Sequence, residues 1–304
     1  MSSKQMKLSI GPRQYFGDRQ RVLDFYKQAA DSPAEIIYLG EVICSKRRQL
    51  NLEDWMAVGN ELQQDGKEVI LSSLTLLEAA SEMSSLKRLC QNESFMVEAN
   101  DISAVQLLSK QGKRFVSGPS VNIYNGRSLK LLAAKGLKRW VLPVELGLDT
   151  LKDLQELRPE GLETEVFAFG RLPLAYSARC YTARSHNLPK DDCQFKCIEY
   201  PDGRMLATQE DQEFLVLNGI QTQSALTHHV LQHVPELRAL GVDVLRISPQ
   251  YSDTMRVIDI FNIYINNNNI EDLSKNLLEL LPLGACNGYA VEQAGMDYGS
   301  QQIT

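Results

Sequence analysis

The chain has 304 residues, 43% hydrophobic and 23% charged, with 19 glycines and 11 prolines. That composition excludes a disordered or fibrous chain and supplies enough apolar surface for a substantial core. With 32 Lys plus Arg against 38 Asp plus Glu the formal charge is −6, which disfavours nucleic acid as a partner, because phosphates are neutralised by a basic surface.

Short β-branched runs at 7–11, 36–40, 68–72, 95–99, 114–118, 139–144, 165–170 and 242–248 predict eight strands. Segments of helical period lie between the early ones, at 19–30, 52–64, 74–89 and 102–111. Asn51, Asp101 and Asp149 stand where a side-chain oxygen can accept from the free N–H groups of a helix start. Gly66, Gly112 and Gly136 follow predicted helices and suit left-handed C-caps. Eight strand–helix units predict an α/β chain folded as a distorted (β/α)8 TIM-like barrel; an open doubly wound sheet is the rival that periodicity leaves standing.

The rhythm breaks between Gly170 and Val242. This interval holds Cys180, Cys193 and Cys197, a strand-like run at 214–218 and a helix predicted over 222–240. It leaves the carboxyl end of the seventh strand, on the face where barrel enzymes assemble their sites from βα loops. No Pro-, Gly- or Ser-rich linker divides the chain. Residues 1–304 therefore read as a single barrel domain with a cysteine-bearing insertion at about 171–241, a surface turn at 266–269 and a C-terminal tail at about 282–304. Positions 1–10 lack the apolar stretch of a secretory leader and no apolar run reaches about 18 residues, so a cytoplasmic chain without a membrane span is expected.

Six cysteines are too few for a disulfide scaffold in a reducing compartment. Cys180, Cys193 and Cys197 read C-x12-C-x3-C, which lacks the C-x2-C knuckles of a zinc ribbon. Iron–sulfur clusters accept ligands from separate loops and call for a fourth thiolate. Cys44 lies four residues past Gly40, at the end of the second strand, so a barrel brings it to the same rim as the insertion. Cys286 competes for that place, and Cys90, at a helix end, reads as packing. The bland alternative is six unrelated buried thiols, against which the polar neighbours Asp191, Asp192, Gln194 and Lys196 argue.

Lys46, Arg47, Arg48, Arg179 and Arg184 flank this region and suit carboxylate recognition, although 46–48 also reads as a solvated approach to a helix. Glu41, Glu98 and Glu145 are expected on the same rim, as acid–base groups or, more simply, as caps. His186 is a lone loop histidine, and His228, His229 and His233 are expected to share a helix without the H-E-x-x-H pattern of a zinc peptidase. Nucleophile-elbow, Walker and dinucleotide motifs are absent from the sequence.

Segment 165–180 resembles the signature of a collagenase-like peptidase family of unassigned catalytic type. Glu165, Phe167, Gly170, Leu172 and Cys180 occupy signature positions, whereas Arg171, Pro173 and Ala178 stand where the signature has a small residue, a Cys and a Gly. Segments 38–48, 172–184, 216–221 and 286–289 resemble in particular the subgroup of that family that acts in ubiquinone biosynthesis. The resemblance implies a distorted β/α barrel and a [4Fe-4S] cluster on Cys44, Cys180, Cys193 and Cys197. It also implies a heterodimer with a paralogue, UbiU, a lipid-binding accessory protein, UbiT, and oxygen-independent hydroxylation of ubiquinone precursors with prephenate as oxygen donor. Peptidase activity, RNA hydroxylation and a non-catalytic iron–sulfur scaffold are the other roles open to such a chain. It assigns no catalytic residue.

Overall fold

Runs such as Ile36 to Leu39 are apolar at every position, the mark of a strand covered on both faces. In the computed structural model, which describes residues 5–267, 271–281 and 283–299, these runs form the staves of a closed barrel. The strands are β1 (Lys7–Ile10), β2 (Ile36–Leu39), β3 (Glu68–Ser72), β4 (Met96–Ala99), β5 (Phe115–Ser117), β6 (Leu137–Val141), β7 (Glu163–Tyr176), β8 (Arg204–Ala207), β9 (Glu213–Asn218), β10 (Gln221–His229), β11 (Val244–Ile247) and β12 (Ala285–Cys286). β1 to β7 pair in parallel in chain order, and β11 closes the ring by pairing with both β1 and β7. The fold is thus an eight-stranded parallel barrel of the TIM type, which removes the open-sheet alternative.

The helices α1 (Arg19–Asp31), α2 (Leu52–Gln64), α3 (Ala80–Gln91), α4 (Ile102–Lys110), α5 (Gly126–Ala133) and α6 (Leu148–Glu156) each return the chain to the next strand. α7 (Tyr181–Ser185) and α8 (Val234–Ala239) lie between β7 and β11, and α9 (Thr254–Asn267) and α10 (Glu271–Leu278) follow β11. Asn51 closes a reciprocal box with Asp54, its Oδ1 accepting from the Asp54 N–H at 2.8 Å, and Asp101 caps α4 from Ser103 at 2.7 Å. Asp149 does not cap α6: Gly147 holds that position and Asp149 sits in the first turn. Helix α3 starts at Ala80 and not at 74, because Glu82 turns back to accept from the Glu78 and Ala79 N–H groups at 2.6 and 3.0 Å and fixes the helix origin there. The turn expected at 266–269 falls partly on the end of α9 and partly outside the described residues.

Inside the barrel, Ile36, Tyr38, Ile70, Val116, Val141 and Val244 form an apolar layer. Against it lies a buried ion network. Arg246 donates to Glu98 at 2.7 Å and to Glu165 at 2.8 Å, and Glu165 also accepts from the hydroxyls of Ser9 (2.6 Å) and Tyr38 (2.5 Å). Arg139 donates to Glu163 and Glu68 at 2.7 and 2.9 Å. Glu98 therefore belongs to the barrel interior and not to its rim, fully buried and held by a cation. The two arginines, despite burial, stay charged because these carboxylates surround them.

β7 overshoots the barrel. From Phe169 onward it pairs antiparallel with β10, which pairs with β9, which in turn pairs with β8, so the interval before β11 is a sheet standing on the carboxyl rim of the barrel. The helix predicted over 222–240 is instead strand β10 followed by the short helix α8. The three histidines accordingly share no helix: His228 and His229 lie on β10, and His233 lies in the tight turn before α8. The misreading arose because the residues β10 buries include Gln221, Gln223 and Thr227, which hydropathy scores as exposed. The run at 214–218 is a strand as expected. Among the described residues no helix is long and apolar enough to cross a membrane.

Candidate functional site

Cys44 follows β2 on the carboxyl rim, in a loop pinned by Glu41, whose carboxylate accepts from the Ile43 and Cys44 N–H groups at 2.9 and 3.0 Å. Glu41 thus caps a loop, and burial raises its pKa against the pull of Arg47. Cys180 opens α7 as its N-cap, its Sγ accepting from the Ala183 N–H at 3.4 Å. Cys44 and Cys180 pack against one small apolar cluster of Val42, Ile43 and Ile220, so the early loop and the insertion meet there.

Cys193 and Cys197 lie in the loop beyond α7. Between them Gln194 and Phe195 adopt successive left-handed conformations, φ 49° and 53°, rare for residues with a side chain, and each costs about 1–2 kcal/mol against an ordinary conformation. This loop is tied to the Cys44 loop by Lys46, whose Nζ donates to the Lys190 carbonyl at 2.7 Å and to Asp191 at 2.9 Å, and to the approach of α3 by Lys190, which pairs with Glu78 at 2.5 Å.

The four thiols are electrostatic neighbours, Cys44 with Cys180, and Cys197 with both Cys180 and Cys193. Burial, abetted by these neighbours, raises the pKa of Cys44 and Cys197, while Arg47 opposes the rise in each. Among the described residues no group of three His, Cys, Asp or Glu side chains is arranged to hold a metal ion. The thiols therefore lie on one side of the fold without closing into a coordination shell.

Arg47 sits at the centre of this region and is buried, which corrects the solvated reading of 46–48 for that residue. Its Nη1 donates to the Gln14 carbonyl and its Nη2 to Asn218 Oδ1, both at 2.7 Å, and Glu41 lies 3.8 Å away. Its Nε has no well-aligned acceptor among the described residues although Cys197 is close enough to feel the guanidinium. Four soft donors beside a buried cation with a spare N–H, and Lys46 at the edge, match the needs of an anionic thiolate-ligated cluster. Arg48, Arg179 and Arg184 are exposed.

The other cysteines lie elsewhere. Cys286, on β12, is fully buried with Phe167 and Leu172, where burial pushes its thiol up to about 12. Cys90 is core packing in α3, pushed up to about 11. His186 shares a 2.9 Å hydrogen bond with the Tyr200 hydroxyl. Sequence reasoning missed Asn218 and Gln14, the partners that hold Arg47; the Asn-Gly step at 218–219 was a visible hairpin signal that could have pointed to that corner.

Three solved structures are similar to this chain at low identity. A U32 peptidase matches at 10% identity, covering 82% of this chain and 95% of that chain, TM-score 0.44. Sialic acid aldolase from Aliivibrio salmonicida matches at 9% identity over 91% of this chain and 80% of that one, TM-score 0.49. A tryptophan synthase structure from Pyrococcus furiosus matches at 10% identity over 85% and 91%, TM-score 0.45. The model of peptidase family U32 matches residues 17–290, nearly the whole barrel together with the cysteine-bearing insertion, and the chain belongs to that family.

Proposed function

We propose that the chain acts as UbiV does, as the iron–sulfur subunit of an oxygen-independent hydroxylation system for ubiquinone precursors. In this reading Cys44, Cys180, Cys193 and Cys197 hold a [4Fe-4S] cluster, a UbiU-like paralogue completes a heterodimer, and a UbiT-like lipid-binding protein presents the precursor. Prephenate is the oxygen donor. The observation that carries it is the meeting of the loop after β2 with the insertion after β7 around the buried Arg47. Membership of the family and the sequence runs around Cys44 and Cys180 support it further.

When bound, a cluster with four thiolate ligands supplies electron transfer and leaves no open iron for substrate. The chain's own residues do the rest: Arg47 offsets negative charge from a buried position, and Lys46 and Lys190 clasp the Cys193 loop to the body. The insertion also leaves Tyr181, Phe195, Ile198, Leu206 and Phe214 exposed, apolar surface of the kind a protein partner covers.

Anaerobic reconstitution tests the centre. The chain is expected to take up about four iron and four sulfide with a band near ~400 nm, and serine at any of the four cysteines to lower that content. Quinone analysis of an anaerobically grown deletion strain, complemented by each Cys→Ser variant, tests the role. A colourless chain after reconstitution removes the reading, and normal quinone with lost peptide cleavage or lost RNA hydroxylation replaces it with another activity of the family.

A further inference from the structure

Beside the cysteine loops, the carboxyl rim opens into a cleft of about 680 Å³, within the size range of small-molecule sites. Its walls come from the loops after β3, β5 and β6, from the overshoot of β7 and from the C-terminal tail, the segments from which a barrel ordinarily builds a site. Three aromatic rings line it, Tyr124, Tyr176 and Tyr289, together with Leu174. Tyr124 and Leu174 are each 41% exposed, so two large apolar surfaces stand uncovered at one opening.

Glu145 is the single charged side chain among the described residues of the lining, and it accepts a hydrogen bond from the Tyr124 hydroxyl. A carboxylate has lone pairs left after one such bond and can accept again. The same charge repels a carboxylate ligand, and no cation in the lining offsets that repulsion. Tyr176 connects the cleft with the thiols: it lines the cleft and also packs, like Cys44 and Cys180, against the cluster of Val42, Ile43 and Ile220. Its hydroxyl is held by Gln221 Nε2 at 2.9 Å, which fixes the ring as a wall.

We infer that this cleft binds an uncharged aromatic ring bearing a hydroxyl group, seated among Tyr124, Leu174, Tyr176 and Tyr289, with the hydroxyl donating to Glu145. The cleft is selective by charge, taking the ring to be modified and turning away a dicarboxylate. Choosing a phenol rests on the hydroxylase reading above; the place and the charge selectivity rest on the cleft alone.

The test titrates the anaerobically prepared full chain with 2-allylphenol by ligand-observed NMR. Saturable binding is expected, with 2-allylanisole, which cannot donate, at least about tenfold weaker. Glu145→Ala and Leu174→Glu each weaken phenol binding by about tenfold with unchanged thermal midpoints, since both side chains are exposed. Prephenate leaves phenol binding unchanged. Equal binding of phenol and anisole, binding indifferent to both substitutions, or displacement by prephenate overturns the assignment. Phenol binding that follows these rules in a chain that never takes up iron overturns the hydroxylase reading and leaves the cleft. An iron-loaded chain whose cysteine variants lose quinone while the cleft ignores phenol does the reverse.

Discussion

Arg47 joins three parts of the molecule that are distant in sequence: the loop after β1 through Gln14, the β9–β10 hairpin through Asn218, and the cysteine loops through Cys197. Removing it leaves the Gln14 carbonyl and the Asn218 amide oxygen without their charged donor. Arg47→Met is expected to lower stability by about 2–4 kcal/mol, read as a shift in the urea midpoint, and to lower iron retained after reconstitution. Arg47→Lys keeps the charge but cannot serve both acceptors with a planar fork, so it restores part of the iron and little of the stability. Wild-type iron content in Arg47→Met would show that the cation is structural only. The meeting of the Cys44 loop with the insertion at Cys180 was legible in the sequence, because a barrel brings the carboxyl ends of its strands to one rim. The burial of Arg47 was not, because one arginine in a Lys-Arg-Arg run looks like its neighbours, and only the packing of distant segments separates them.

Elements show the same division. The barrel strands were legible because each is a short, mostly apolar run bounded by turn signals and recurring between helical segments. The charged residues within these runs, Glu98 on β4, Arg139 on β6, Glu165 on β7 and Arg246 on β11, were the available signal for the buried ion network. Arg246→Met strands Glu98 and Glu165 in the barrel interior and is expected to destabilise by about 3–5 kcal/mol; a midpoint within error of wild type would contradict the network's geometry. β10 was illegible because its inward glutamines are satisfied by long-range partners, with Gln221 and Gln223 donating to Gln14 at 2.7 and 3.3 Å. The hairpin that starts β10 turns at Gly219, with φ 67°, where an added Cβ would meet Arg47 Nη2 at 3.0 Å. Gly219→Ala therefore combines a left-handed penalty with displacement of the buried guanidinium, a loss of about 1–2 kcal/mol. It should lower iron retention alongside Arg47→Met, whereas Asn51→Ala, which loses about 1 kcal/mol of helix capping, should leave iron unchanged. Equal effects of the two on iron would mean that general stability, and not the corner around Arg47, governs the site.

For the whole molecule, the buried titratable groups set a dependence on pH that the surface does not. His228 and His229 sit back to back on β10, and burial holds their pKa values down, at about 3 and about 4. Neither ring of this pair is solvated: His229 has no partner at either nitrogen among the described residues and packs against Tyr298 in a tilted contact, ring centres 5.3 Å apart. The unfolded chain binds protons at these histidines near pH 6.5, where the folded chain does not, so stability falls as the pH drops from about 7 towards 4, by up to about 1.4 kcal/mol per pH unit for each ring. Glu165 adds a later loss. Its carboxylate, despite burial, is held below the usual range by Arg246 and Arg139, so its contribution is full above about 4.3 and disappears as the pH falls through the lowered value. Urea unfolding between pH 7.5 and 3.5 should thus show a decline that starts near neutrality and continues below about 4.3, where Glu165 adds its loss as the contribution of the two rings fades towards their lowered values. Glutamine at both His228 and His229 should flatten the upper part of that curve and leave the lower part in place. A double variant with the wild-type slope between pH 7 and 5 would mean that the rings take up protons in the folded barrel, which requires water or an acceptor to reach β10 through the Tyr298 contact.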